Sequence, residues 1–326
     1  MRLAVLSFLL LVGLPALAQT DGSAAAKAAL DSSRNIHDPA VIEADGHYYL
    51  FATGNGIPIH CSDDLKVWDL CSAVFFAEPD WLAEAVPGVT NLWAPDISSR
   101  DGRYYLYYAA STFGSNQSVI GLATNTTLDP DSPNYAWKDE GLVVATTLED
   151  NYNAIDPNAV TDAQGRVWLT FGSYWTGIKG LELEPATGKP LAGAPLHSLA
   201  TRPDAPYAVE APFVIYRAPY YYLFVSYDAC CQGAESTYNV RVGRSKTVMG
   251  PYRDQANMPL MEGGGTLLVK GQGRWRGPGH NAFLQSPAGD KIVYHAYDAD
   301  FAGVPTVRIK EVRWTKTGWP EILGAP

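Results

Sequence analysis

Along the chain, apolar and polar residues alternate with a period of two in short, aromatic-rich runs bounded by Gly, Asn, Asp or Pro. That pattern is the signature of half-buried strands. Runs over 48–51, 104–108, 167–171, 221–225 and 292–294 read as strands, and 57–61, 119–123, 179–183, 240–245 and 306–312 as the strands after them. Helical periodicity is nearly absent; the best stretch, 80–85, is too short to organise anything. Each strand pair is preceded by a proline beside a polar residue. The units are Asp38-Pro39, Pro95-Asp96, Asp156-Pro157, Glu210-Ala211-Pro212 and Gly277-Pro278-Gly279-His280-Asn281, with the prolines 56, 62, 55 and 66 residues apart. A repeat of this length, with room for about four short strands, is the content of a propeller blade. The expected fold is all-β, a five-bladed β-propeller whose central channel collects the polar residues at the repeat positions.

Further aromatic signals lie at 64–68, 135–137 and 250–252 and read as fourth strands, with Trp68, Trp137 and Tyr252 as plugs between blades. The ring would be closed by a strand just before Asp38 or after Trp314.

Composition refines this picture at the N-terminus. One Arg, an apolar run and Ala16-Leu17-Ala18 make residues 1–18 a secretory signal peptide. Residues 19–33 read as a flexible leader and 34–326 as a single catalytic domain, secreted or periplasmic and monomeric. The run is too short for a membrane span, and no later stretch competes, so no membrane association is expected. A net charge of −10 argues against a nucleic acid partner, whose binding needs a basic patch. In an oxidising compartment the four cysteines allow three pairings. Cys61 and Cys71 flank one hairpin and are the favoured pair, leaving Cys230-Cys231 as a vicinal bridge or as thiols. Asn116 and Asn125 head short glycosylation sequons.

The repeat aims the carboxylates Asp38, Asp96, Asp156 and Glu210 at one axis. Carboxylates around a small cavity push their pKa values apart, which suits one as proton donor and another as base. Register alone does not separate them: Asp38 and Asp156 precede their prolines by one residue, Glu210 by two, and Asp96 follows by one. Asp96 reads equally well as a structural acceptor for a backbone N–H.

With Asp38-Pro39, Asp156-Pro157 and Glu210-Ala211-Pro212 on a five-unit β-chain, the sequence resembles family 43 glycoside hydrolases. It is most similar to the secreted endo-α-1,5-L-arabinanases, through Leu92-Trp93-Ala94-Pro95-Asp96, Ser111-Thr112-Phe113-Gly114, Phe171-Gly172-Ser173-Tyr174-Trp175 and Cys230-Cys231-Gln232-Gly233. The resemblance implies an inverting mechanism on linear arabinan or arabino-oligosaccharides. Asp38 is then the base that activates water, Glu210 the acid, and Asp156 the residue that orients the acid and raises its pKa. It also implies a calcium ion, mostly water-ligated, beside His280, and no organic cofactor. Trp93, Phe113 and Trp175 are expected to stack on sugar rings, with Asn158, Ser173 and Arg308 as further substrate contacts. An exo-acting arabinofuranosidase or β-xylosidase on the same frame is the nearest alternative, and a non-catalytic sugar-binding propeller a third.

Overall fold

The computed structural model describes residues 21–324. The signal peptide expected over 1–18 lies outside the described residues. Twenty strands form five separate four-stranded antiparallel sheets, each a simple meander in chain order. The first strands of the blades are Ala40–Ala44, Trp93–Arg100, Asn158–Thr161, Val209–Arg217 and Trp275–Leu284. Each touches the first strand of the next blade, and the fifth touches the first, so these strands surround a central axis and the ring is closed. The expected second and third strands are all present; the second strand of the third blade, Val167–Phe171, has the expected bounds. Fully buried Tyr107, Tyr108, Phe171, Phe224 and Tyr294 on second strands supply much of the packing between sheets.

The fourth strands differ from expectation. They are Asp69–Ala73, Lys138–Thr146, His197–Ala200, Thr266–Lys270 and Pro320–Ile322. The aromatic signals at 64–68, 135–137 and 250–252 lie in the connections before them. Trp68 and Tyr252 are buried there and Trp137 packs against the core, so the plug role holds while the strand assignment does not. The physical reason is that an outermost strand is half exposed, and runs such as DLCSA carry little alternation.

Ring closure uses the segment before Asp38. Arg34 forms an isolated antiparallel bridge with Thr306, and Val307 N–H donates to Ser33 C=O at 2.9 Å. Ile36, Val41, Trp68, Val293 and Val307 form a shared apolar cluster between the fifth and first blades. The strand after Trp314 is the outer edge of the fifth blade itself and packs against the fourth blade, so it does not close the ring onto the first. The leader is also corrected: Asp21–Ser32 is an α-helix, consistent with its run of alanines, the strongest helix formers. Ser32 Oγ at its end accepts the Trp68 N–H at 3.2 Å. A short helix, Trp81–Ala85, falls where helical periodicity was seen.

Cys61–Cys71 is a disulfide, the pairing the sequence favoured, and Cys230–Cys231, which the sequence left open, is a vicinal disulfide. Both sequon asparagines are buried. Asn116 donates to Asp150 C=O at 2.6 Å, and the Asn125 amide nitrogen is enclosed within the fold, so neither offers its amide to a sugar.

Candidate active site

Each inner strand carries, within it or two residues before its start, one non-glycine residue in the left-handed region: Asp38 (φ 50°), Ala94 (φ 45°), Asp156 (φ 55°), Ala211 (φ 53°) and His280 (φ 49°). Such a conformation costs an L-residue about 1–2 kcal/mol and persists only where its surroundings impose it. In the first four blades the next residue is the repeat proline; in the fifth it is Asn281. The fifth repeat position therefore belongs to His280-Asn281, and Pro278 is outside the register. The kink also explains the uneven spacing of the acids. Asp38 and Asp156 occupy the kinked position, while Glu210 directly precedes the kinked Ala211. Asp96 lies two residues beyond Ala94, on strand that faces the neighbouring blade.

Asp38, Asp156, Glu210 and His280 line one channel of ≈ 1180 Å³. Thr53 Oγ donates to Asp38 Oδ2 at 2.6 Å and accepts the Ala94 N–H at 2.8 Å. His37 Nδ1 stands 2.8 Å from the same oxygen, and His280 Nδ1 is 3.2 Å from Oδ1. Burial alone would raise the Asp38 pKa, but the charge and hydrogen bonds of His37 and His280 outweigh it and hold the carboxyl well below its usual range. His280 answers in the opposite sense. Burial would lower its pKa, yet Asp38, and behind it Asp156 and Glu210, lift it to about 9.

Asp156 and Glu210 act on each other as a pair. Burial is the main force raising both. For Asp156, His280 opposes the rise and the negative charges of Glu210 and Asp38 add to it, giving about 7. For Glu210, hydrogen bonds from Ser173 (2.6 Å) and Tyr238 pull the other way without cancelling the rise. Asp156 Oδ2 accepts the Ala211 N–H at 3.0 Å, so it holds the strand that carries Glu210. Tyr238 approaches closely because residue 279 is Gly: a Cβ there would stand 2.0 Å from the tyrosine ring.

Trp93, Phe113, Ser173 and Trp175 also line the channel. Phe113 is 83% exposed with its ring 5.0 Å from that of Trp93, and Trp175 is 43% exposed, so apolar ring faces are offered to the cavity from the second and third blades. Ser173, expected to contact substrate, spends its hydroxyl on Glu210.

Two expected substrate contacts are placed elsewhere. Asn158 is buried between blades: its Nδ2 donates to Asp96 Oδ1 at 3.0 Å and its Oδ1 accepts the Val214 N–H at 2.8 Å. Side chains alternate across a strand, and this one faces neighbouring sheets instead of the axis. Arg308 sits on the third strand of its blade, away from the channel, with its guanidinium 3.9 Å from the Trp275 ring centroid. Asp96 is a structural acceptor, taking the Ala159 N–H at 2.8 Å from the next blade.

Sequence reasoning missed His37, Thr53, Tyr238 and Tyr297, all of which line the channel. His37 and Thr53 each sit inside or beside a repeat motif, a usable signal; Tyr238 and Tyr297 have none.

For a cation, the His37, Asp38 and His295 ligand atoms lie within 4.8 Å of one another. Both His37 nitrogens are committed, Nδ1 to Asp38 and Nε2 to Tyr297, and His295 Nδ1 accepts the Asp38 N–H at 3.2 Å, which leaves only the buried His295 Nε2 without a partner. His280 fits a water-ligated ion better. Three carboxylates already favour positive charge at its ring, and among the described residues no protein hydrogen bond takes its Nε2. Oxygen ligands, which calcium prefers, would come from water held by those carboxylates.

The family model for glycosyl hydrolases family 43 matches residues 32–320. The chain is 42% identical over 294 residues to the extracellular endo-alpha-(1->5)-L-arabinanase 1 of Bacillus subtilis, covering 89% of this chain and 88% of that protein. It is 40% identical to the extracellular exo-alpha-(1->5)-L-arabinofuranosidase ArbA of Cellvibrio japonicus, covering 88% and 86%. The Cellvibrio cellulosa alpha-L-arabinanase complexed with arabinohexaose superposes with a TM-score of 0.86 at 39% identity, covering 88% of this chain and 95% of that one. A five-bladed ring with its acids on one channel floor and a family match across that whole ring lead to one statement: the chain is a member of glycosyl hydrolase family 43.

Proposed function

We propose that this protein is an exported endo-α-1,5-L-arabinanase that hydrolyses linear arabinan with inversion at the anomeric carbon. The observation that carries the reading is the electrostatic division among acids on one channel floor. Asp38 is held as a carboxylate and is the base that takes a proton from water. Glu210 is held above the ordinary carboxylate range and is the acid that protonates the leaving oxygen. Asp156 acts on the acid twice, through the Ala211 N–H and through its charge. An inverting site needs its acid and base on opposite sides of the sugar with a water between them, and placing them on different blades serves that need.

The substrate assignment rests on the relatives and on the channel. A space of ≈ 1180 Å³ exceeds what a small ligand fills, about 300–1,000 Å³, and suits several sugar units. The relatives are named for endo and exo action alike, so the test follows the product pattern. On linear arabinan, viscosity should fall early with release of short oligosaccharides; arabinose alone from the first time points would establish the exo reading. Export is supported by the N-terminal apolar run and by relatives named extracellular. One chain carries all three acids, so a monomer suffices for catalysis.

A calcium ion beside His280 would supply positive charge and ordered water to the channel floor when bound. Chelation should lower Tm, and His280→Ala should lose the bound metal; unchanged metal content in that variant would remove the ion from His280.

A further inference from the structure

The Cys230–Cys231 disulfide lines the channel and belongs to no step described above. Cys231 is itself in the left-handed region, at φ 65°. Its backbone N–H donates to the Tyr297 hydroxyl oxygen at 2.7 Å. With the Cys231 N–H pointing at it, the tyrosine oxygen still has its own proton to give. The group in reach is His37 Nε2, at 2.7 Å. On the far side of the same ring, His37 Nδ1 meets Asp38 Oδ2 at 2.8 Å. A carboxylate oxygen only accepts, so the imidazole carries hydrogen on Nδ1, and in the neutral ring Nε2 accepts. The ring cannot swing away, because it stacks on the buried His295 with centroids 3.9 Å apart. Every donor and acceptor in the series has one consistent direction.

We propose that Tyr297 is a positioning residue for the water-activating carboxylate: the vicinal disulfide loop, Tyr297 and His37 form a one-way hydrogen-bond chain that fixes the His37 tautomer and aims Asp38. The proposal rests on Asp38 being the base. The cysteine pair enters through backbone geometry. Closing a ring between adjacent residues restricts the loop and keeps the Cys231 N–H facing the tyrosine. Removing the Tyr297 hydroxyl takes away the donor that keeps Nε2 free of hydrogen, so Nε2 takes up hydrogen and the ring loses one of the two bonds that aim it at Asp38.

The first test needs no activity. In the full chain labelled with ¹⁵N-histidine, and with the His37 signal identified by its loss in His37→Asn, the ring should carry hydrogen on Nδ1 and none on Nε2. In Tyr297→Phe, hydrogen should appear on Nε2. A wild-type His37 protonated on Nε2 would overturn the chain even if Asp38 is the base. The second test is kinetic. Tyr297→Phe should lower kcat on arabinan about 10- to 100-fold, the worth of a hydrogen bond to a charged network, with KM within about twofold. A kcat within twofold of wild type, at unchanged Tm, would overturn the proposal. In a Cys61→Ser, Cys71→Ser background, complete reduction of Cys230–Cys231 by dithiothreitol should lower kcat and let hydrogen appear on His37 Nε2. A fully reduced protein with the wild-type His37 signal would also overturn it.

Discussion

Thr53 can give its hydroxyl hydrogen only to Asp38, because its own oxygen is taken by the Ala94 N–H; the two bonds measure 2.6 and 2.8 Å. One side chain thereby stitches the first blade to the second and orients the base. Thr53→Val keeps the shape and removes both bonds. We expect kcat to fall about tenfold or more and unfolding free energy to drop by about 1–3 kcal/mol, since a buried N–H and a charged acceptor each lose a partner. Thr53→Ser should restore most of both, measured by steady-state kinetics and urea unfolding.

Asp38→Ala should lose activity on every substrate, because water must be deprotonated whatever group leaves. Glu210→Ala should lose activity on arabinan by about 10²–10⁴-fold, yet retain it on aryl arabinosides with acidic phenols, whose departure needs no proton. Equal losses of Glu210→Ala on both substrates would remove it from the acid role. Retained configuration in the first product, read by NMR, would overturn the water-activation mechanism.

The pH dependence follows from the pair. Asp156 is raised to about 7, and Glu210 is raised in the same direction, chiefly by burial and then by neighbouring charge. An acid must be protonated to donate, so activity falls as pH rises through the pair's upper titration. Asp156→Asn removes a negative charge and should move the alkaline limb of the kcat profile to lower pH. Burial persists, so the limb should remain above an ordinary glutamate's range. A limb that moves up, or not at all, would sever the link between the two acids.

Asp96 is the contrasting acid. Burial first, against hydrogen bonds from Ala159 and Asn158, raises it from 3.8 to about 7. A carboxyl whose folded pKa exceeds its unfolded one binds more protons when folded. Its contribution is therefore fully present below about pH 4 and is lost as pH rises through 7. Asp96→Asn cannot titrate, so stability between pH 4 and 8 should vary less than in wild type. It also swaps an acceptor for a donor and should cost about 1–3 kcal/mol at acidic pH. The effect on kcat should be smaller than that of Asp156→Asn, because Asp96 is spent on the blade interface.

The sequence by itself determined the architecture and the acids. Second and third strands such as Val167–Phe171 and Asn239–Ser245 are buried on both faces or alternate strongly, so local composition betrays them. The repeat residues Asp38, Asp156 and Glu210 are marked by adjacent prolines, which the inner-strand kink leaves beside the channel. Outer strands such as His197–Ala200 were illegible, since one weakly patterned edge can be filled by many residue types. Only the tertiary structure decided which side of a blade each polar residue faces. It turned Asn158 and Asp96 into blade stitches and carried Arg308 away from the channel. It also brought Thr53 to Asp38 and Tyr238 to Glu210 within their own blades, and Tyr297 of the fifth blade to His37 of the first. The Tyr297–His37 meeting depends on the fifth blade closing against the first around the axis, a property no local stretch of sequence encodes.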